Sequence, residues 1–253
     1  METDTINNFI TKDLITKIRS DARASKNILP KITNERDLES VIYHHLREKL
    51  KHQLDLKIST NYTFSGVKLR KGERSFVQPD IVISRWRDDF HPKFIENPKS
   101  AHSGSKGYPE MLIAFELKSE QPGQPISHEK KYYENLFKNK SMQKDFKKLN
   151  SARKTEYIQN GYFFYLYQDV DVSEINMKKI INKSIKNTKR FEIIVINRFS
   201  NLDTKTALET RQKLRQNGRF YAVRDHRKIW EICEKCGKFV KEHTINQDKI
   251  CFP

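Results

Sequence analysis

Residues 111–119 read MLIAFELKS. The run is apolar for five residues, is too short for most helices and ends in charges, which predicts a central β-strand. Glu116 and Lys118 lie two apart, so both project from the same face of that strand. A buried strand has little use for a carboxylate and an ammonium on one face, because burying charge is costly unless it is paired or bound to a metal. Upstream, ISTNYTFSGVKL (58–69) and SFVQPDIVIS (75–84) predict two strands with Gly72 in the turn between them, and Asp80 follows Pro79 within the second. Downstream, YFFYLYQ (162–168) and FEIIVIN (191–197) predict two more buried strands.

Helices are expected around these strands. Ile6, Ile10, Leu14 and Ile18 repeat every four residues and end before Pro30. Thr33 or Asn34 caps a second helix, whose apolar face is Leu38, Ile42, Tyr43, Leu46 and Leu50. Helical spacing recurs within 128–154, where Met142, Phe146, Leu149 and Arg153 share a face, in a basic stretch before the last strand, and over 203–216. The order predicts an α/β chain with a central mixed sheet flanked by helices. Residues 85–109 hold three prolines and two glycines without periodicity and predict a long insertion loop. The division expected is a helical N-terminal extension (1–30), a catalytic domain (31–200), and a basic helix with a cysteine-containing tail (201–253).

The chain has 253 residues, 49 Lys and Arg against 32 Asp and Glu, a net charge of +17 and a pI near 9.7. So large a single-sign excess points to a polyanion, most simply nucleic acid. No apolar run approaches a membrane span, the N-terminus lacks the layout of a signal peptide, and three cysteines make no secreted disulfide framework. A cytoplasmic protein with no membrane partner is expected. HExxH, a Gly-rich phosphate loop and Gly-x-Ser-x-Gly are absent, which argues against nucleotide-hydrolysing and serine-hydrolase chemistry.

If two strands deliver Asp80 and Glu116 to one point, they supply hard oxygen ligands suited to Mg²⁺ or Mn²⁺. Lys118 beside them can orient an attacking water and aid its deprotonation, a set suited to hydrolysing phosphodiesters. Pro79-Asp80 followed by Glu116-Leu117-Lys118 resembles the PD-(D/E)xK nuclease superfamily, the restriction-endonuclease-like enzymes, over roughly residues 35–170. The resemblance implies an α-β-β-β-α-β core, with metal held by Asp80, Glu116 and the Leu117 main-chain carbonyl and with Lys118 at the water. It also implies a glutamate from the preceding helix, Glu39 or, one turn earlier, Glu35. By the same resemblance DNA is favoured over RNA, with a role in defence, restriction or DNA processing. The Asp80-to-Glu116 interval of 36 residues is longer than usual for the family, on account of the 85–109 loop.

Residues 128–154 carry nine Lys or Arg against three acids, and 175–190 carry six against none. Lys144, Lys147, Lys148 and Arg153 are the candidate phosphate contacts. Near the C-terminus, Cys233 and Cys236, with His243 and Cys251, have spacing suited to a structural Zn²⁺. A non-catalytic nucleic-acid-binding module, or an assembly subunit with basic faces, is the alternative to a nuclease. A homo-oligomer or a partner protein is compatible with either.

Overall fold

The structure, a computed structural model, describes residues 3–25, 28–60, 64–70, 73–87, 108–120, 130–154, 158–185, 191–217, 223–225 and 228–230. Its N-terminal helix comes in three pieces: α1 (Thr3–Phe9), a π-helical segment (Ile10–Leu14) and α2 (Ile15–Ala22). The wide segment has a cause in sequence. A repeat of four outruns the about 3.6 residues of an α-turn, and i→i+5 turns take up the surplus. Ile6, Ile10, Leu14 and Ile18 therefore stay on one buried line. Helix α3 (Glu35–Leu50) starts at Asn34, whose side chain accepts the Asp37 N–H at 2.9 Å. The Asp37 carboxylate returns the favour, accepting the Thr33 N–H at 2.9 Å and the Thr33 hydroxyl at 2.6 Å.

Both upstream runs predicted as single strands are divided. Residues 58–69 contribute to β1 (Leu56–Thr60) and β2 (Phe64–Arg70), and residues 75–84 to β3 (Glu73–Val77) and β4 (Ile81–Arg87). β1 pairs with β4 in the main sheet, whereas β2 and β3 form a two-stranded hairpin of their own. The division between β3 and β4 falls around Pro79, which has no N–H to give a ladder. Gly72 lies outside the described residues, as does most of the 85–109 loop; β4 runs to Arg87, and β5 (Tyr108–Ser119) starts before the MLIAFELKS run.

Helices α4 (Lys130–Lys138) and α5 (Lys140–Lys154) precede β6 (Ile158–Tyr167), and α6 (Glu174–Ser184) precedes β7 (Glu192–Asn197). The chain continues into α7 (Thr204–Asn217) and a short hairpin, β8 (Val223–Asp225) and β9 (Lys228–Trp230). The main sheet has the order β1-β4-β5-β6-β7, antiparallel from β1 to β5 and parallel from β5 to β7. The fold is thus α/β with a five-stranded mixed sheet flanked by helices.

Strand alternation sorts the sheet into two faces. Ile81, Ile83, Phe115, Leu117, Phe164 and Ile196 pack with α1–α3. Val82, Ala114, Phe163, Tyr165 and Val195 pack with Tyr133, Phe137, Phe146 and Met177 from α4–α6. Among the described residues, no helix is long and apolar enough to cross a membrane.

Candidate active site

The sheet itself creates the opening in which the charged residues meet. The β4–β5 ladder ends at Ile81 opposite Phe115. One step further the Asp80 N–H donates to the Phe115 carbonyl at 3.0 Å. Beyond that, where Pro79 offers no backbone donor, the Asp80 carboxylate accepts the Leu117 N–H at 2.6 Å. Asp80 thus closes the ladder with its side chain, in the plane of the sheet and next to Glu116. Phe115 and Leu117 present their backbone groups to the same edge of β5, so the Leu117 carbonyl projects towards Asp80 as well.

Glu116 and Lys118 share the α5 side of β5, two residues apart, as the alternation requires. Glu116 is 2% exposed. The Lys118 ammonium is surrounded by three carboxylates: Glu116 at 3.6 Å, Glu35 at 3.7 Å and Asp145 at 3.6 Å. Glu35 comes from the first turn of α3, which covers the opposite face, and reaches Lys118 past the end of β4. Asp145 comes from α5 and is buried. Five residues from four segments of the chain, Glu35, Asp80, Glu116 with Lys118, and Asp145, therefore meet at one end of the central strand.

The electrostatics follow from this crowding. Burial opposes the Lys118 charge, but Glu116, Glu35, Asp145 and Asp80 outweigh it and hold the ammonium above its ordinary range. Burial raises the Glu35 carboxyl; Lys118 pulls it back, while Asp80 and Asp145 push it up further. Glu39, one turn along α3, is raised by partial burial and then by Asp80, with Arg36 opposing. Of the two helix glutamates, Glu35 is the one ion-paired to Lys118, and Glu39 is the one whose main charged neighbour is Asp80.

A buried arginine braces the frame. Arg198, fully buried just after β7, donates to the Thr33 carbonyl at 2.6 Å, the Glu120 carbonyl at 2.7 Å and the Ser119 hydroxyl at 2.7 Å. Thr33 lies two residues before Glu35, and Ser119 one after Lys118, so this guanidinium ties together the two backbones on which that ion pair rests. Burial lowers Arg198 to about 10, and Glu120 and Asp37 oppose the shift. Glu120 continues the alternation of Glu116 and Lys118; its carboxylate accepts the Tyr165 hydroxyl at 2.8 Å and the Gln168 N–H at 3.1 Å, and burial raises it.

The sequence placed Asp145 on a helix that the family resemblance turns towards the substrate, but not at Lys118, and it gave Arg198 no site role. For Asp145 a signal existed: it is the one acid in α5, beside Phe146 on the edge of the apolar stripe. For Arg198 there was none, since an arginine after an apolar strand reads as the strand's exposed end. Lys144 and Lys147 are exposed on α5. The side chains of Lys148 and Arg153 lie outside the described residues, as do Cys233, Cys236, His243 and Cys251. A cavity of about 340 Å³, lined by Lys138, Gln143, Lys147, Asn150 and Ser184, lies on the flank of α5 away from Asp145 and holds none of the site's carboxylates.

The donor set can be matched to a cation. Among the described residues no group of three or more His, Cys, Asp or Glu side chains is disposed to hold a metal ion. A closed cage of the zinc or calcium kind is therefore not built there. Two carboxylates and a main-chain carbonyl suit instead an ion of the magnesium class, which keeps several waters and shares itself with substrate phosphate. No family model, no curated protein and no solved structure matches the chain.

Proposed function

We propose that the chain is a divalent-metal-dependent nuclease that hydrolyses phosphodiester bonds, with a core of the PD-(D/E)xK type. The observation that carries the proposal is the meeting of Asp80, Glu116 and a carboxylate-held Lys118 at the end of the central strand. The element series α3, β1, β4, β5, α5, β6 supports the same core, with the β2–β3 hairpin inserted after β1.

Asp80, Glu116 and the Leu117 carbonyl are the residues that would hold Mg²⁺ or Mn²⁺. When bound, such an ion neutralises charge on the scissile phosphate. Lys118 enters as an ammonium: it orients the attacking water and offsets the negative charge that develops in the transition state. Glu35, with its raised carboxyl beside Lys118, is placed to take the proton, because a base is more effective the nearer its pKa lies to the working pH. Asp145 and Glu116 hold the Lys118 side chain from the α5 side. DNA is the favoured substrate by the family resemblance.

The test is cleavage of single-stranded, duplex and branched DNA and of RNA, with Mg²⁺ or Mn²⁺, by wild type and by Asp80→Asn and Glu116→Gln. Metal-dependent cleavage by wild type, lost in both variants while nucleic-acid binding persists, is the expected result. Cleavage at the wild-type rate in Asp80→Asn would remove the assignment. Binding without cleavage under every metal condition would leave the non-catalytic module as the reading.

A further inference from the structure

The two helical layers carry different surface charge. On the α1–α3 side the exposed acids Asp4, Asp13 and Glu48 stand among lysines and arginines. On the α4–α6 side every exposed charged side chain described within the three helices is a lysine. Lys140, Lys144 and Lys147 are on α5, and Lys178, Lys179 and Lys183 are on α6; Lys131 and Lys138 of α4 add to the same layer.

The acids described within these three helices are withdrawn from the surface. Asp145 is turned inward to Lys118. Glu174 is held by Arg23 at 2.7 Å and Arg19 at 3.5 Å, both from the N-terminal segment on the other side of the sheet. Glu134 is half-buried. Solubility would be served as well by mixed signs, and three helices whose described exposed charges are all lysine make an electrostatic footprint for a polyanion. Neighbouring helices pack about 8–10 Å apart. A layer three helices wide therefore spans far more than one phosphodiester, on a duplex that carries a charge every ~1.7 Å of its axis.

We propose that the lysine face of α4–α6 is a second, sequence-independent contact for the nucleic-acid backbone, extending from the α5 flank of the carboxylate site to α6. The protein then grips a stretch of duplex longer than the part at the site. The occupant is the phosphodiester backbone, because exposed lysines spread over three helices recognise charge rather than base edges. The word "site" rests on the nuclease reading above; the contact itself does not.

Lys178, Lys179 and Lys183 are the informative positions, since none of them touches the carboxylate cluster. The experiment measures binding of a 30-base-pair DNA duplex against salt concentration, without metal, for wild type, the triple Lys→Glu variant at these three positions and the matching triple Lys→Arg variant. Thermal unfolding checks that each is folded. The Lys→Glu variant is expected to lose tenfold or more in affinity at 100 mM salt and to shallow the log–log salt slope by about 2–3, the contribution of three phosphate contacts. The Lys→Arg variant should keep both. An unchanged slope in a folded Lys→Glu variant overturns the proposal, as does an equal loss in both variants or an absence of duplex binding by wild type. If no protein cleaves DNA yet the Lys→Glu variant alone loses binding, the nuclease reading fails and the lysine face stands.

Discussion

Lys118 is the residue on which the cluster turns, and its neighbours set opposing demands. Asp80, Glu116, Glu35 and Glu39 bring negative charge to one place around the Lys118 ammonium, and Glu35 and Glu39 are both pushed up by Asp80. Glu39 shows the consequence for pH. Its carboxyl is raised above the ordinary 4.5, so just above that value the folded protein keeps a proton that the unfolded chain has released. The folded state then holds more protons, and stability falls as pH rises through the window. Glu39→Gln is expected to be more stable than wild type at neutral pH and to have a flatter stability curve from about pH 4.5 upward; denaturant unfolding at several pH values reads this. Mg²⁺ should likewise raise the thermal midpoint of wild type, and should raise it much less in Asp80→Asn, a readout independent of cleavage. The pairing of Glu116 with Lys118 was legible from spacing alone, because strand alternation has only two faces to offer. The choice between Glu35 and Glu39 was not, since both share one face of α3 and which of them meets Lys118 is set by packing between distant segments.

At the level of elements, the π segment and the arginine brace carry the clearest expectations. Lys12 is exposed within the π segment, and Lys12→Ala should leave stability within about 0.5 kcal/mol. Deleting Lys12 removes the surplus residue and leaves the four apolar positions at spacings of four, three and four, so the segment should close to regular α-helix with its stripe still on one face. An unfolding midpoint close to that of wild type is expected for the deletion. Arg198→Met removes the donors of three bonds and leaves the Thr33 and Glu120 carbonyls without that partner, at a cost of about 3 kcal/mol or more in chemical denaturation. The four-residue repeat announced a helix but not its widening, because the stripe shows only which side is buried. The two upstream runs predicted two strands rather than four because alternation continues across Asn61–Thr63 and Gln78–Asp80, and Pro79 is the local sign of the break in the second run.

On the scale of the whole molecule, the sheet is antiparallel on one side of β5 and parallel on the other, and the charged cluster stands at that seam. The mixed sheet was legible because its strands are short, apolar and separated by helical stretches in β6 and β7, whereas the first strands follow one another through turns. Its strand order was not, since position in a sheet is fixed by packing between distant segments. The excess of +17 was legible as a sum; among the described residues, the helices α4–α6 expose only lysines as charged side chains, whereas α1–α3 expose acids as well. Phe146 lies under the lysine layer at 2% exposure, against Phe163 at a ring separation of 4.6 Å and stacked on Phe191. Phe146→Ala should cost about 3–5 kcal/mol and loosen α5 from the sheet. In a variant still folded at low temperature, duplex affinity should become more temperature-dependent than in wild type, which binding measured between 5 and 25 °C would show.

The guanidinium of Arg198 also fixes when in the life of the chain the cluster can exist. A protein leaves the ribosome N-terminus first, at about 5–20 residues per second, so Glu35, Asp80, Glu116 and Asp145 emerge in that order, and the residue that ties α3 to the end of β5 emerges after all of them. For the seconds between Glu35 and Arg198, the nascent chain carries the acids and the lysine without the bond network that holds their backbones together. A cluster built this way is completed only once β7, the edge strand of the main sheet, has left the ribosome.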